Sequence, residues 1–278
     1  MKRLLTAAFL GVAATSCGGL RLGSRGPEST SLQSASAPRS DTPAVTLDAV
    51  AFYRQKGLIA QGAPLPFVGT ANFTASARPD STHVLVALAL ATGALTFRRE
   101  GDQYRADYRS TIALKRGETT IARLEATEVV RVATLRETER SDESVLFQQL
   151  LTVAPGTYTL TVAVRDEGST KSASTDLALR VPSFDAGSIL PPLPFYEALA
   201  RRTRDSLPLI VANPRARLTY GRDSTVAVYL EAYGGDKPAS LGLAIQVENV
   251  TVWTDSVSPT PAGDAMFTAI ARIPIASI

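Results

Sequence analysis

"APGTYTLTVAVRD", residues 154–166, sets a Pro-Gly turn directly before a run whose larger side chains recur at every second position. Tyr158, Leu160, Val162 and Val164 share one face of an extended strand, and Thr159, Thr161 and Ala163 share the other. The same period of two extends outward from Leu65 to Pro182. It carries "FVGTANFTA", "THVLVALAL", "ALTFRRE", "QYRADYRSTIALK", "TIARLEATEVVRV", "SVLFQQLLTV" and "ASTDLALRV". Between them stand turn signals: Arg78-Pro79-Asp80, Gly101-Asp102, Arg116-Gly117-Glu118 and Glu167-Gly168-Ser169. About eight short strands with no room for crossover helices predict an antiparallel β-sandwich over residues 65–182.

The placement of Tyr158 just after the turn resembles the tyrosine corner of immunoglobulin-like sandwiches, in which a phenol closes the loop ahead of a core strand. Residues 183–207, "SFDAGSILPPLPFYEALARRTRDS" with Leu207, break the period. They read as an interdomain connector, proline-rich at first and with a short helix from Phe195 to Thr203. Strands resume over 208–278, with "TVAVYLEAY", "LGLAIQVE", "VTVWTDSV" and "AMFTAIARIPI", and turns at Tyr220-Gly221-Arg222-Asp223 and Gly234-Gly235-Asp236. The expectation is a second, smaller sandwich of about six strands. It is short for one, and the chain stops soon after Ile273-Pro274-Ile275, so the reading expects a truncated end or a further domain. The predicted fold class is all-β, with tandem immunoglobulin-like antiparallel β-sandwiches after a lipoprotein signal and a flexible tether.

Ahead of the strands, residues 47–64 form a lead-in. "LDAVAFYRQKG" (47–57) places Leu47, Val50, Ala51 and Phe52 on one helical face, with Gly57 as a stop. Residues 17–46 are rich in Gly, Ser, Pro, Arg and Thr, with too little apolar surface to offset ordering entropy, and read as a flexible tether. Residues 1–16 have the order of a secretory signal: Lys2 and Arg3, then an apolar run from Leu4 to Ala14. Cys17 follows directly and is the single cysteine of the chain. "AATSCGG" resembles the lipobox of bacterial lipoproteins, with Ala14 where leucine is usual. The resemblance implies a diacylglyceryl thioether on Cys17. Ala14-Thr15-Ser16 also fits ordinary signal peptidase, which would leave Cys17 an exported free thiol. An intrachain disulfide is excluded.

The succession of lipobox, tether, "FYRQKGLIA", "LPFVGTANFTA", "RETERSDESVLFQQLLTVAPGTYTLTVAVRD", "VPSF" and "IVANPRARLTYGRDSTVAVYLEAYG" resembles the N-terminal region of GWxTD-domain lipoproteins of bacterial envelopes. The GWxTD motif itself is absent, since Trp253-Thr254-Asp255 has a different spacing and reads as strand. The resemblance implies a cell-envelope location and no defined chemistry. Gly18 after the cysteine favours, by likeness to other lipoproteins, the outer over the inner membrane.

Composition excludes several function classes. Removing Lys2 and Arg3 with the signal leaves 27 of the 29 basic residues against 26 acidic ones, so nothing marks a nucleic-acid surface. His83 is the lone histidine and opens the apolar strand "HVLVALAL"; it reads as a strand-edge or core-rim residue rather than a catalytic base or metal ligand. No cofactor motif and no metal site is read. Glu137, Glu139, Asp142 and Glu143 crowd one loop, interleaved with Arg136 and Arg140. They are a candidate interaction loop, with calcium binding as the sharper alternative and a solvated loop as the plainer one. Arg201-Arg202-Thr203-Arg204 reads as a solvated face that could touch acidic lipid or polyanion.

Two functions follow as expectations. One is a non-enzymatic envelope lipoprotein, held to the membrane at Cys17 and presenting strand edges or loops to a protein partner. The other is a ligand- or glycan-binding module using Tyr104, Tyr108, Tyr229, Tyr233 and Trp253 as a stacking platform. A hydrolase built on the acidic loop is the least supported reading.

Overall fold

The computed structural model describes residues 48–140, 144–215, 224–234, 240–263 and 265–277. In chain order it runs α1 (Ala49–Gln55), β1 (Ile59–Gln61), β2 (Phe67–Ala75), β3 (Thr82–Ala91), β4 (Arg98–Glu100), β5 (Gln103–Arg116), β6 (Thr119–Val132) and α2 (Leu135–Thr138). It continues with β7 (Ser144–Val153), β8 (Gly156–Asp166), β9 (Ser172–Val181), β10 (Leu193–Leu199), β11 (Leu209–Ala212) and β12 (Thr225–Tyr233). The last strands are β13 (Leu241–Val247), β14 (Val250–Val257), β15 (Thr260–Ala262) and β16 (Met266–Pro274).

The fold is predominantly β-sheet, with every strand pairing antiparallel. Sheet 1 has the order β1-β2-β3-β7. In sheet 2, β5 is central: β6 lies along one side, β4 and β8 lie end to end along the other, and β9 follows β8. Sheet 3 has the order β11-β10-β12-β16-β15, and β13 and β14 form a separate hairpin.

Side-chain parity stacks these layers. Val84, Val86, Leu88 and Leu90 of β3 meet Ile112, Leu114, Leu160, Val162 and Val164 in a core between sheets 1 and 2. Leu85 and Ala87, on the opposite face of β3, join Leu193, Phe195, Ile210, Tyr229 and Tyr233 in a second core between sheets 1 and 3. The other face of sheet 3 supplies Val228, Leu230, Phe267 and Ala269 to a third core under Leu241, Leu243 and Ile245 of the hairpin. Thus β3 is buried on both faces, which is why "THVLVALALA" lacks the polar alternation of a half-exposed strand.

The lead-in belongs to this stack. The Asp48 carboxylate accepts from the backbone N–H groups of Val50 and Ala51 at 3.0 and 3.1 Å, capping α1. Arg54 then pins the helix, donating to the Ala60 carbonyl (3.0 Å), Gln61 Oε1 (2.9 Å) and Thr175 Oγ1 of β9 (3.1 Å). Strand β1 lies within the segment read as lead-in and extends sheet 1. The Tyr158 hydroxyl donates to the Ala154 carbonyl at 2.7 Å and accepts from Arg116 Nη2 at 2.7 Å, which closes the turn ahead of β8.

Residues 195–199, read as the start of a helix, are instead the end of β10. Leu193 and Phe195 are buried at a spacing of two, and β10 pairs with β11 on one side and β12 on the other. Three apolar positions in a short proline-flanked piece fit either period, and the pairing partners decide it. Phe184 and Leu190 from the same connector enter the second core.

Gly69 on β2 lies opposite Leu88, and a Cβ there would come 2.5 Å from Leu88 Cδ2 and 2.6 Å from the Ala87 carbonyl oxygen. Leu88 has no exposed surface through which to yield. Gly69→Ala is therefore expected to lower the unfolding free energy by about 1–3 kcal/mol, the range for an overpacked core. Urea unfolding of the two proteins measures it.

Candidate functional site

Between sheets 1 and 3 lies a buried polar cluster. Tyr229, Glu231 and Tyr233 alternate along β12 and so point together toward sheet 1. Glu231 has no exposed surface and Arg201 only 3%. A charge with that little water needs a counter-charge and hydrogen bonds at once. Arg201 Nη1 lies 3.2 Å from Glu231 Oε2 and 3.5 Å from Oε1. The Tyr229 hydroxyl donates to Oε1 at 2.6 Å, and the Tyr233 hydroxyl donates to Oε2.

The same groups grip the end of β2. Both Nη atoms of Arg201 donate to the Ala75 carbonyl at 3.0 Å, and the Ala75 N–H donates to the Tyr233 hydroxyl at 2.9 Å. Arg201 Nη2 also donates to the Arg204 carbonyl at 2.5 Å. Arg204 in turn covers the Tyr233 ring, its guanidinium carbon 5.3 Å from the centroid. Burial first, and then the Glu231 carboxylate, hold both phenols well above the ordinary tyrosine range, so each stays a donor.

His83 faces the same interface on β3. Its Nδ1 is 2.8 Å from Thr152 Oγ1 of β7, and its side chain shares the parity of Leu85 and Ala87. Burial, followed by the Arg201 charge, pushes its imidazole down to about 4. It is a neutral, hydrogen-bonded histidine near the start of a strand paired on both sides, which fits the core-rim alternative and not the strand edge. Beyond the cluster, Gln148 of β7 bridges to β11: its Nε2 donates to the Ile210 carbonyl at 2.6 Å and its Oε1 accepts from the Ala212 N–H at 3.2 Å. The arrangement clamps sheet 3 onto sheet 1, with Arg201, Tyr229, Glu231 and Tyr233 buried inside it.

The residues singled out in the sequence are placed differently from one another. Cys17, Asp142 and Glu143 lie outside the described residues. Glu137 is used locally: its backbone N–H donates to Thr134 Oγ1, the N-cap (3.4 Å), while its Oε2 accepts from the N–H of Ala133, the residue before the cap (2.9 Å), at the start of α2. Glu139 is exposed at the end of that helix. Among the described residues, no three His, Cys, Asp or Glu side chains come together as ion ligands. The arginine run is not a solvated face, since Arg201 is buried, Arg204 half-buried and only Arg202 exposed. The five rings read as a platform are dispersed. Tyr108 packs edge-on against Phe147 in the first core, Tyr229 and Tyr233 lie between sheets 1 and 3, and Trp253 packs against the third core.

No protein-family model and no curated protein matches the chain. On the open face of sheet 2 a shallow trough is lined by Arg109, Arg123, Glu125, Arg165, Ser172 and Ser174. There Arg109 pairs with Glu125 at 2.9 Å and Glu167 at 3.0 Å, and Arg123 pairs with Glu125 at 3.1 Å. Hydrogen bonds from Arg123 and Arg109 hold the Glu125 carboxyl below the usual range.

Sequence reasoning missed the Arg201–Glu231 pair. The available signal was a carboxylate between two tyrosines at two-residue spacing in the otherwise apolar "TVAVYLEAY", which demands a buried cation.

Glu231→Ala strands Arg201 without its counter-charge and is expected to cost about 3–5 kcal/mol in urea unfolding. His83 gives a pH dependence of definite sign. Its folded value lies below the unfolded 6.5, so the unfolded chain binds the extra proton and stability falls as pH drops from about 6.5 toward 4. The full loss is on the order of 2–3 kcal/mol, and His83→Asn is expected to flatten that part of a stability-against-pH curve.

Proposed function

We propose that the chain is an envelope lipoprotein, anchored through a lipid on Cys17, that acts as a non-enzymatic interaction or scaffold module for an envelope protein partner. In this reading the stacked sheets are tandem immunoglobulin-like sandwiches held off the outer membrane by the 17–46 tether. The observation that carries the scaffold reading is the clamp: Arg201, Glu231, Ala75 and Gln148 bind two sheet pairs together across one shared strand layer. A rigid body of strand edges and end loops suits the presentation of a surface to a partner. The likeness of nearly the whole chain to the N-terminal region of GWxTD-domain lipoproteins supports the location. Among the described residues no helix is long and apolar enough to cross a membrane.

Mass spectrometry of the mature N-terminal peptide, from protein isolated out of its own membranes, tests the anchor. The expected peptide begins at Cys17 and carries a diacylglyceryl group on sulfur; an unmodified Cys17 rejects it. In-membrane crosslinking is expected to return a reproducible envelope protein, and its failure removes the partner.

A further inference from the structure

Strand β6 is an edge. Its 14 residues pair with β5 along one side, while its other side has no strand partner among the described residues. Among the other edges of the stack, that of β11 takes the Gln148 side chain, β9 lies beside β1 with Arg54 bridging to Thr175, and β7, the edge of sheet 1, comes near part of β6 without pairing to it. Edge strands are ordinarily blunted by proline, lysine or a bulge. "TTIARLEATEVVRV" has no proline, lysine or glycine; its one bulge against β5 falls at Ile121, and the pairing is regular from Ala122 to Val132. Its inward residues Ala122, Leu124, Ala126 and Val130 are only half-buried against the first core, the half-buried Glu128 shares their face opposite Tyr108, and outward Ile121 and Val129 are 45% and 40% exposed.

The charges of this edge are complementary to themselves. Antiparallel pairing that keeps inward residues on the inward face requires the register sum to be even. Centred on Leu124, the strand sets Arg123 opposite Glu125 of a copy and Glu125 opposite Arg123, with Leu124 on Leu124 and Ala122 on Ala126, all within the regular stretch that follows the bulge at Ile121. No like charges stand directly opposite one another in that register. Centres at Arg123, Glu125 or Glu128 set that residue against its own copy, and a centre at Thr127 sets Arg123 against Arg131. A centre at Ala126 forms no ion pair and places Glu128 opposite Leu124. Opposite-charge and β-branched cross-strand pairs are the stabilising units of a sheet.

We propose that two copies of this chain pair antiparallel through β6 about a two-fold axis at Leu124, making one continuous sheet from sheet 2 of each. The contact is isologous and closed, so it stops at a dimer. It depends neither on the lipid at Cys17 nor on an envelope partner.

Sedimentation velocity of the full chain, in detergent of matched density, tests it with charge reversals at the two exposed positions. The wild type is expected to show a concentration-dependent monomer–dimer equilibrium. Arg123→Glu places two Glu–Glu pairs across the axis and Glu125→Arg two Arg–Arg pairs, so each variant alone is expected to dimerise at least about tenfold more weakly. An equimolar mixture of the two restores opposite charges at both positions and is expected to dimerise again. A wild type that stays monomeric to its solubility limit, variants that dimerise as well as wild type, or a mixture that does not recover would each overturn the proposal.

Discussion

A carboxylate with no exposed surface sits in the middle of four stacked layers, and a single guanidinium makes that position tolerable. Placing Arg201 against Glu231 fixes the path of the chain after β10, because both Nη atoms must also reach the Ala75 carbonyl at the end of β2. The phenols of Tyr229 and Tyr233 complete the coordination of the carboxylate and accept the nearby N–H groups of Arg201 and Ala75. Sheet 3 therefore has one docking position on sheet 1 in which both Nη atoms of Arg201, both oxygens of Glu231 and both phenols are matched, Arg201 Nε alone of the pair's polar atoms lacking a partner. A slip of one residue along either strand turns the alternate side chains away.

Apolar residues of the same volume hold two sheets together at least as well as a buried ion pair, because desolvation offsets much of the attraction. What the pair adds is geometric selectivity. Leu85, Ala87, Phe195 and Ile210 would tolerate many offsets of one flat apolar face over another, whereas the guanidinium tolerates few. Gln148 contributes in the same manner, standing in for a neighbouring strand along the edge of β11 with its amide.

Much of the architecture was legible in the sequence, and what was legible follows from exposure. Strands β5 to β9 face water on one side, so turns and period-two alternation marked them, and Gly57 marked the end of α1. The Tyr158 corner could be read from its place after a Pro-Gly turn. The internal layer was harder. "THVLVALALA" advertises burial but not which sheet covers its second face, and "LPFYEAL" fits a helix as well as a strand until its partners, far away in sequence, are known. Of the candidate residues, Glu137 drew attention as an acid and serves as a cap. Arg201 looked like one of three surface arginines because nothing near it in sequence announces Glu231, thirty residues later. The pairing leaves its trace at the acidic end, in "TVAVYLEAY", and none around Arg201.

The double burial of β3 also orders events as the polypeptide is made. Its first face can be covered once β8 has emerged, since Leu160, Val162 and Val164 supply that core. Leu85 and Ala87 on the second face wait for Tyr229, Tyr233 and finally Met266, close to the C-terminal end of the chain. Until then a finished sheet carries an uncovered apolar surface. That interval is when a nascent molecule is most open to sticking to a neighbour, or to capture by a chaperone that shields it.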